Sequence, residues 1–278
     1  AGAAGREALA TSLNNLGKLA LDRDDFAAAQ GRFAAALALR RAVLGDDHPD
    51  TVQARGNLAT TLFRLGRYDQ AEARFQEIVD LRRHLLGPDH PVLARTLSSL
   101  AVVQQQRGRL AAAEASLREA LAMRRRLGLA PDEGEADTLN SLAAVLRKQE
   151  RLDEAERIYQ ESFALYGRLL GPGGPRQANV LNGLARVHRQ RADLPGAERL
   201  ARRALDLLQQ RSEAPATALA DTWALLGEIL AEDGRAAEAA AAWRRCIELR
   251  SGSLPPDHPA LAEARRALGD LTKSTAGR

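Results

Sequence analysis

The chain has 278 residues, of which 45% are hydrophobic, 27% charged and only 4% aromatic, and no stretch approaches the ~20 uninterrupted apolar residues of a membrane-spanning helix. Its one cysteine, Cys246, excludes a disulfide framework and a cysteine-based zinc cluster. Forty Lys and Arg against thirty-six Asp and Glu give a net charge of +4, but nearly all of it is arginine interleaved with acids, so a solvated arginine-rich surface is expected rather than a nucleic-acid track.

At the amino end, Ala1 to Ala10 carries Gly2, Gly5, Arg6 and Glu7 where a secretory leader needs an apolar core. The first residue is not Met, which points to a piece of a longer protein. A reducing, cytoplasmic setting is expected.

A repeat organises everything that follows. Leu44-Gly45-Asp46-Asp47-His48-Pro49 returns as Leu86-Gly87-Pro88-Asp89-His90-Pro91 and as Leu254-Pro255-Pro256-Asp257-His258-Pro259, at spacings of 42 and 168 residues. Leu16, Leu58, Leu100, Leu142, Leu184, Leu226 and Leu268 keep the same step of 42, each followed by Gly or Ala. Ala29, Ala71, Ala113, Ala155, Ala197 and Ala239 form a second column, and Phe33, Phe75, Leu117, Tyr159, Ala201 and Trp243 a third.

Within a unit the spacing predicts two helices. From Asp50 to Leu65 the apolar residues Val52, Leu58, Leu62 and Leu65 share one helical face. Gly66-Arg67 ends that helix, and a second amphipathic run, Tyr68 to Leu86, carries Ala71, Phe75, Ile78 and Leu81. Gly87-Pro88 stops the second run, and Pro91 suits the first turn of the next helix. The frame therefore predicts an all-α chain with repeats over 8–49, 50–91, 92–133, 134–175, 176–217 and 218–259 and a capping helix over 260–272. All of 1–278 is expected to form one domain. No unit can bury its own face, so stability is expected from stacking.

Leu13-Asn14-Asn15-Leu16-Gly17, Gly66-Arg67-Tyr68-Asp69-Gln70-Ala71-Glu72 and the Leu-Gly-x-Asp-His-Pro turns resemble the tetratricopeptide repeat in its 42-residue, kinesin-light-chain form. The resemblance implies a right-handed α-solenoid of six helix–turn–helix repeats plus a C-terminal capping helix. It also implies a concave groove lined by the first helix of each unit.

The positions implied to face that groove are Asn14, Asn15, Lys18 and Leu21 in the first unit, and Gln53, Asn57, Thr60, Phe63 and Arg64 in the second. They continue with Arg95, Ser98, Ser99 and Gln105, then Asn140, Ser141, Arg147 and Lys148, then Asn179, Asn182, Arg186 and Arg189. The sixth unit turns acidic with Asp221, Glu228 and Glu232. Asparagine both donates to and accepts from a peptide backbone, and arginine binds carboxylates through paired charged bonds. A carboxylate clamp of the family's kind is matched by Asn57 and by the charge of Arg95, whereas Asn14, Lys18 and Ser99 depart from it.

Other constellations carry no chemistry. His48, His90 and His258 sit in turns at least one repeat apart and are expected to start helices before proline, not to share a metal. Gly171-Pro172-Gly173-Gly174-Pro175 is an inter-repeat turn without the Lys-Ser/Thr of a phosphate loop. Asp132, Glu133, Glu135 and Asp137 lack calcium-loop spacing. Cys246 and His188 fall on helix-packing columns. No nucleophile-elbow, zincin or P-loop motif is present, so no enzyme activity and no cofactor is expected.

The leading functional expectation is a non-catalytic scaffold holding an extended, acidic peptide of a protein partner. The alternative is a sensor or autoinhibitory domain of a larger bacterial signalling protein. No nucleic-acid or membrane partner is expected. A monomer is expected too, because Glu263, Arg265, Arg266, Asp270 and Lys273 make the last helix polar.

Overall fold

Each apolar period becomes a helix. The computed structural model describes residues 2–210, 214–254, 256 and 258–276, with the backbone alone for 273–276; Pro255, Asp257 and the Lys273 side chain lie outside the described residues. Among these, thirteen helices follow in order: α1 (Ala3–Asp22), α2 (Phe26–Leu44), α3 (Pro49–Arg64), α4 (Tyr68–Leu86), α5 (Pro91–Gln106), α6 (Leu110–Arg126), α7 (Glu133–Lys148), α8 (Leu152–Leu170), α9 (Pro175–Gln190), α10 (Leu194–Gln209), α11 (Ala216–Glu232), α12 (Ala236–Ser251) and α13 (Pro259–Ala276). The odd-numbered helices are the first of each repeat. No described helix is long and apolar enough to cross a membrane.

The chain divides into two compact units, Ala1–Ala130 with α1–α6 and Pro131–Arg278 with α7–α13. In the first, each helix packs on the next. The second does the same, and its first helices also touch directly, α7 on α9 and α9 on α11.

The columns show how stacking is achieved. Ala29, Ala71, Ala113, Ala155, Ala197 and Ala239 are fully buried, and the larger column of Phe33, Phe75, Leu117, Tyr159 and Trp243 is no more than 6% exposed. Small residues let helix axes close to ~8–10 Å, and the large ones fill what is left. Leu16 departs from the expected column: at 45% exposure it lies with Leu9 and Leu19 on an open face of α1. Its equivalents Leu100, Leu142 and Leu226 lie beneath further helices and are at most 2% exposed.

The turn within each repeat requires one left-handed residue. Asp24, Gly66, Gly108, Glu150, Ala192 and Gly234 occupy equivalent places with φ between 56° and 77°. The next amide returns to the helix it leaves, as in Arg67 N to Leu62 O at 2.9 Å. Three of the six are not glycine, so the fold holds them there against a local cost of about 1 kcal/mol each.

Arginines in these turns clamp neighbouring repeats. Glu72 on α4 pairs with Arg107 and Arg109, Glu156 on α8 with Arg191, and Glu198 on α10 with Arg235. The arginine-rich composition is thus partly a stacking device. Between repeats, His48, His90 and His258 cap helices, each Nδ1 accepting the N–H two residues on, at 3.2, 3.1 and 3.2 Å. A ring nitrogen used this way explains the residue before proline without a metal. Asp132 caps α7 in the same manner, accepting from Glu135 N at 2.9 Å.

Candidate functional site

In the second unit α7, α9 and α11 bring their polar stripes to a cleft of about 460 Å³, lined by Asn140, Arg147, Asn179, Asn182 and Arg186 among others. Five of the residues expected to bind a peptide therefore converge. Asn182 Nδ2 is anchored on Thr222 Oγ1 at 2.8 Å. Its Oδ1, the Oδ1 of Asn140 and Nε of Arg147 are buried without any hydrogen-bond partner. A buried polar atom left unmatched costs about 1–3 kcal/mol, which a turn of the side chain that brings the atom to a donor or acceptor in the cleft would recover.

The cleft has an aromatic floor that the stripe does not contain. Tyr159 from α8 and Trp243 from α12 line it. The stripe residue Gly183 makes room for the first, since a Cβ there would lie 2.5 Å from the Tyr159 ring. Gly227 does the same for Trp243, with a Cβ 2.8 Å from the indole nitrogen. Sequence reasoning placed both aromatics on a buried column, where they lie, and missed that they also border the cleft. The available signal was a glycine on the first helix facing a large residue on the second.

The first unit has its own cleft, of about 580 Å³, between α3, α4 and α5. Asn57 and Arg95 line it, together with Phe75, Ile78, Leu85 and Leu86. Asn14 reaches Asn57, whose Nδ2 donates to Asn14 Oδ1 at 2.7 Å, and Asn14 is itself buried. These two asparagines hold each other rather than facing outward as a pair of ligand groups.

The basic residues are less free than expected. Arg189 pairs with Glu228 and, at 3.0 Å, with Glu232, while Arg186 lies 3.7 Å from Glu228. The acids of α11 thus neutralise the arginines of α9, because residues 39, 42 or 43 apart in this frame face each other across adjacent first helices. In all, three arginines (147, 186, 250) face three carboxylates (221, 228, 263) in the second cleft. Arg64 leaves the stripe, bonding Asp24 at 2.7 Å and covering the Phe26 ring at 5.2 Å. Lys18 is exposed outside either cleft. Lys148 is exposed as well, and partial desolvation followed by the charge of Arg147 lowers its pKa.

Of the residues set aside, Cys246 is fully buried and burial pushes its thiol up to about 11. His188 bonds Asp193 at 2.7 Å with Glu156 3.6 Å away. No group of three His, Cys, Asp or Glu placed to hold a metal occurs among the described residues.

Comparison with known proteins fits this architecture. The tetratricopeptide-repeat sequence model matches residues 8–83, 53–126 and 134–210, and a second model of the same repeat matches 219–260. No curated protein matches the chain in sequence. Among solved structures, BtubC (BKLC) from P. vanneervenii is similar at 22% identity and TM-score 0.62, over 93% of this chain and 95% of that one. Nearly identical TPR-like kinesin-light-chain repeats from Podosopora anserina are similar at 16% identity and TM-score 0.60, over 72% and 94%. The apo form of RapI is similar at 14% identity and TM-score 0.66, over 88% and 84%.

Proposed function

The chain belongs to the tetratricopeptide-repeat family, and from that premise we propose that it is a non-catalytic scaffold gripping an extended peptide segment of a protein partner, with the cleft of the second unit as the principal contact. The observation that carries this reading is the pair of buried, unmatched amide oxygens on Asn140 and Asn182, one repeat apart in a polar cleft. A peptide backbone presents N–H donors at regular intervals along an extended strand, so two such oxygens, once each side chain turns to bring its closed-off oxygen into the cleft, hold it irrespective of its side chains. Tyr159 and Trp243 border the cleft but are buried, so its polar groups make the principal contact.

Acidity of the ligand is not favoured at this cleft, where arginines and carboxylates balance. A neutral or mixed-charge segment fits it better. The same balance argues against nucleic acid, whose phosphates require a continuous basic track. The exposed Glu263, Arg265, Arg266 and Asp270 on α13 support a monomer at that end, whereas the open leucines of α1 do not.

A peptide array probed with wild type and an Asn140→Ala, Asn182→Ala double variant tests the reading. The expected result is a set of peptides bound by wild type and weakened about tenfold in the variant, as loss of one or two hydrogen bonds implies. Equal binding by both proteins, or none by either, would overturn it.

A further inference from the structure

α1 turns an apolar stripe outward. Leu9, Leu16 and Leu19 are 51%, 45% and 52% exposed. With the exposed Ser12 they form a run spaced 3, 4 and 3 residues apart, which is one face of a helix. In α5 the residues at the same four places of the repeat, Leu93, Thr96, Leu100 and Val103, are all buried, and three of them cluster with Val79 of the preceding helix. The stripe of α1 differs from such a stacking face in one respect. Its last place holds Thr61, Val103, Val145, Val187 and Ile229 in α3, α5, α7, α9 and α11, each buried and β-branched, but a leucine in α1. Leucine is the residue that paired helices favour at a seam of this kind.

Steps of 3, 4 and 3 are the alternating seam positions of a two-stranded coiled coil, and they read the same in both directions. Two α1 helices laid antiparallel therefore bring Leu9 against the partner's Leu19 and Ser12 against the partner's Leu16, twice by symmetry. A small residue faces a large one at each inner step, so every knob has a hole to enter. Ser12 loses nothing by being covered, because its hydroxyl already donates to Ala8 O at 3.0 Å. Beside the seam the exposed Asn15 meets its own copy, and an amide both donates and accepts. Arg6, Glu7, Lys18 and Asp22 lie off the seam by about 100° or more around the helix, so no like charges are driven together there.

We propose that α1 is a self-association surface, on which a second copy of this chain packs its own α1 antiparallel about a two-fold axis at the level of Asn14. Such a contact is isologous and closed, so it stops at two copies. An end-to-end contact with α13 is disfavoured, since the exposed Glu263, Arg265, Arg266 and Asp270 would bring charges onto the leucines. Two paired helices make a small specific interface, below ~1,200 Å² in total, so the dimer is reversible at micromolar concentrations. Neither cleft takes part, so the dimer and the peptide reading can fail independently.

The test is sedimentation velocity of the whole chain from about 1 to about 200 µM, the span over which so small an interface dissociates. Leu16→Glu and Leu19→Glu variants are run beside wild type, with helicity checked by circular dichroism. Both positions are exposed, so the fold is expected to survive the change. The expected result is a wild-type dimer that dissociates on dilution, with a dissociation constant raised at least tenfold in either variant. Spin labels placed singly at Asn15→Cys and Ala4→Cys then report the arrangement, Cys246 being fully buried. Antiparallel pairing puts the two labels at position 15 close together and separates those at position 4 by about 30 Å along the axis, at ~1.5 Å per residue. A monomer throughout the range, which would leave the stripe to a helix of another protein, would overturn the proposal. So would a dimer unchanged by Leu16→Glu, or short distances from both labels.

Discussion

The two clefts share one 42-residue frame, yet one is bordered by Tyr159 and Trp243 beside unmatched asparagines and the other by Phe75 and Ile78 beside two arginines, Arg82 and Arg95, and two aspartates, Asp47 and Asp50. The frame dictates where side chains project, because helix contacts tolerate only Ala or Gly in some columns and only large apolar residues in others. It does not dictate what stands at positions that touch no neighbouring helix. Two regions with the same backbone plan therefore present different chemistry, and a repeat family can serve different ligands without altering its fold.

The comparison can be broken most forcefully at the floors. Tyr159→Ala and Phe75→Ala remove equivalent side chains that are 3% and 5% exposed, and each is expected to destabilise the protein by about 3–5 kcal/mol in urea unfolding. A loss confined to one of them would mean that the floors are not equivalent supports.

Glycines on the two stripes should respond in opposite directions. Gly183→Ala drives a Cβ to 2.5 Å from the Tyr159 ring, an overpacking expected to cost about 1–3 kcal/mol. Gly56→Ala, in α3 at the other cleft, meets nothing within 4 Å and should stabilise by about 0.5–1 kcal/mol, the usual helix preference for Ala. The same sign for both by calorimetry would contradict the geometry.

A finer difference lies in the turns. Two of the three intra-repeat turns of the second unit, at Glu150 and Ala192, hold a non-glycine at positive φ, against one of three in the first, at Asp24. Ala192→Gly should therefore stabilise by about 0.5–1 kcal/mol despite its greater freedom when unfolded, and a lower melting temperature would count against it.

The smallest effect is in acid. Hydrogen bonds from Arg41 and Arg55 hold the Asp46 carboxyl below its ordinary value, Arg126 does so for Asp89, and His188 for Asp193. Because the folded values are depressed, this stability is present above the unfolded carboxylate value of about 3.9 and is lost as pH falls below it through the folded ones. Melting temperature should decline modestly on that descent in low salt, and less so in high salt, because these groups are exposed. A rise on acidification would have the wrong sign.

Much of the fold was legible because its causes are periodic. The second helix expected over Tyr68 to Leu86 forms over those residues, and the first, expected from Asp50 to Leu65, forms over Pro49–Arg64. Leu16 escaped because burial depends on which helices cover a column, and the column cannot report that. At the site, Asn140, Asn182 and Arg186 were legible from their place on the stripe. The loss of Arg189 to Glu228 was not, since it depends on how closely two first helices approach. Neither was the position of Tyr159 and Trp243 at the edge of the cleft, which depends on the room left by glycines on another element.

The most direct test of the scaffold account is calorimetric binding of the strongest array peptide, synthesised as a series with each backbone nitrogen methylated in turn. Backbone recognition by Asn140 and Asn182 predicts that methylation at two or more separated positions weakens wild type about tenfold, and that the double asparagine variant no longer discriminates among those positions. Uniform affinity across the methylated series, with binding governed by side chains alone, would contradict it.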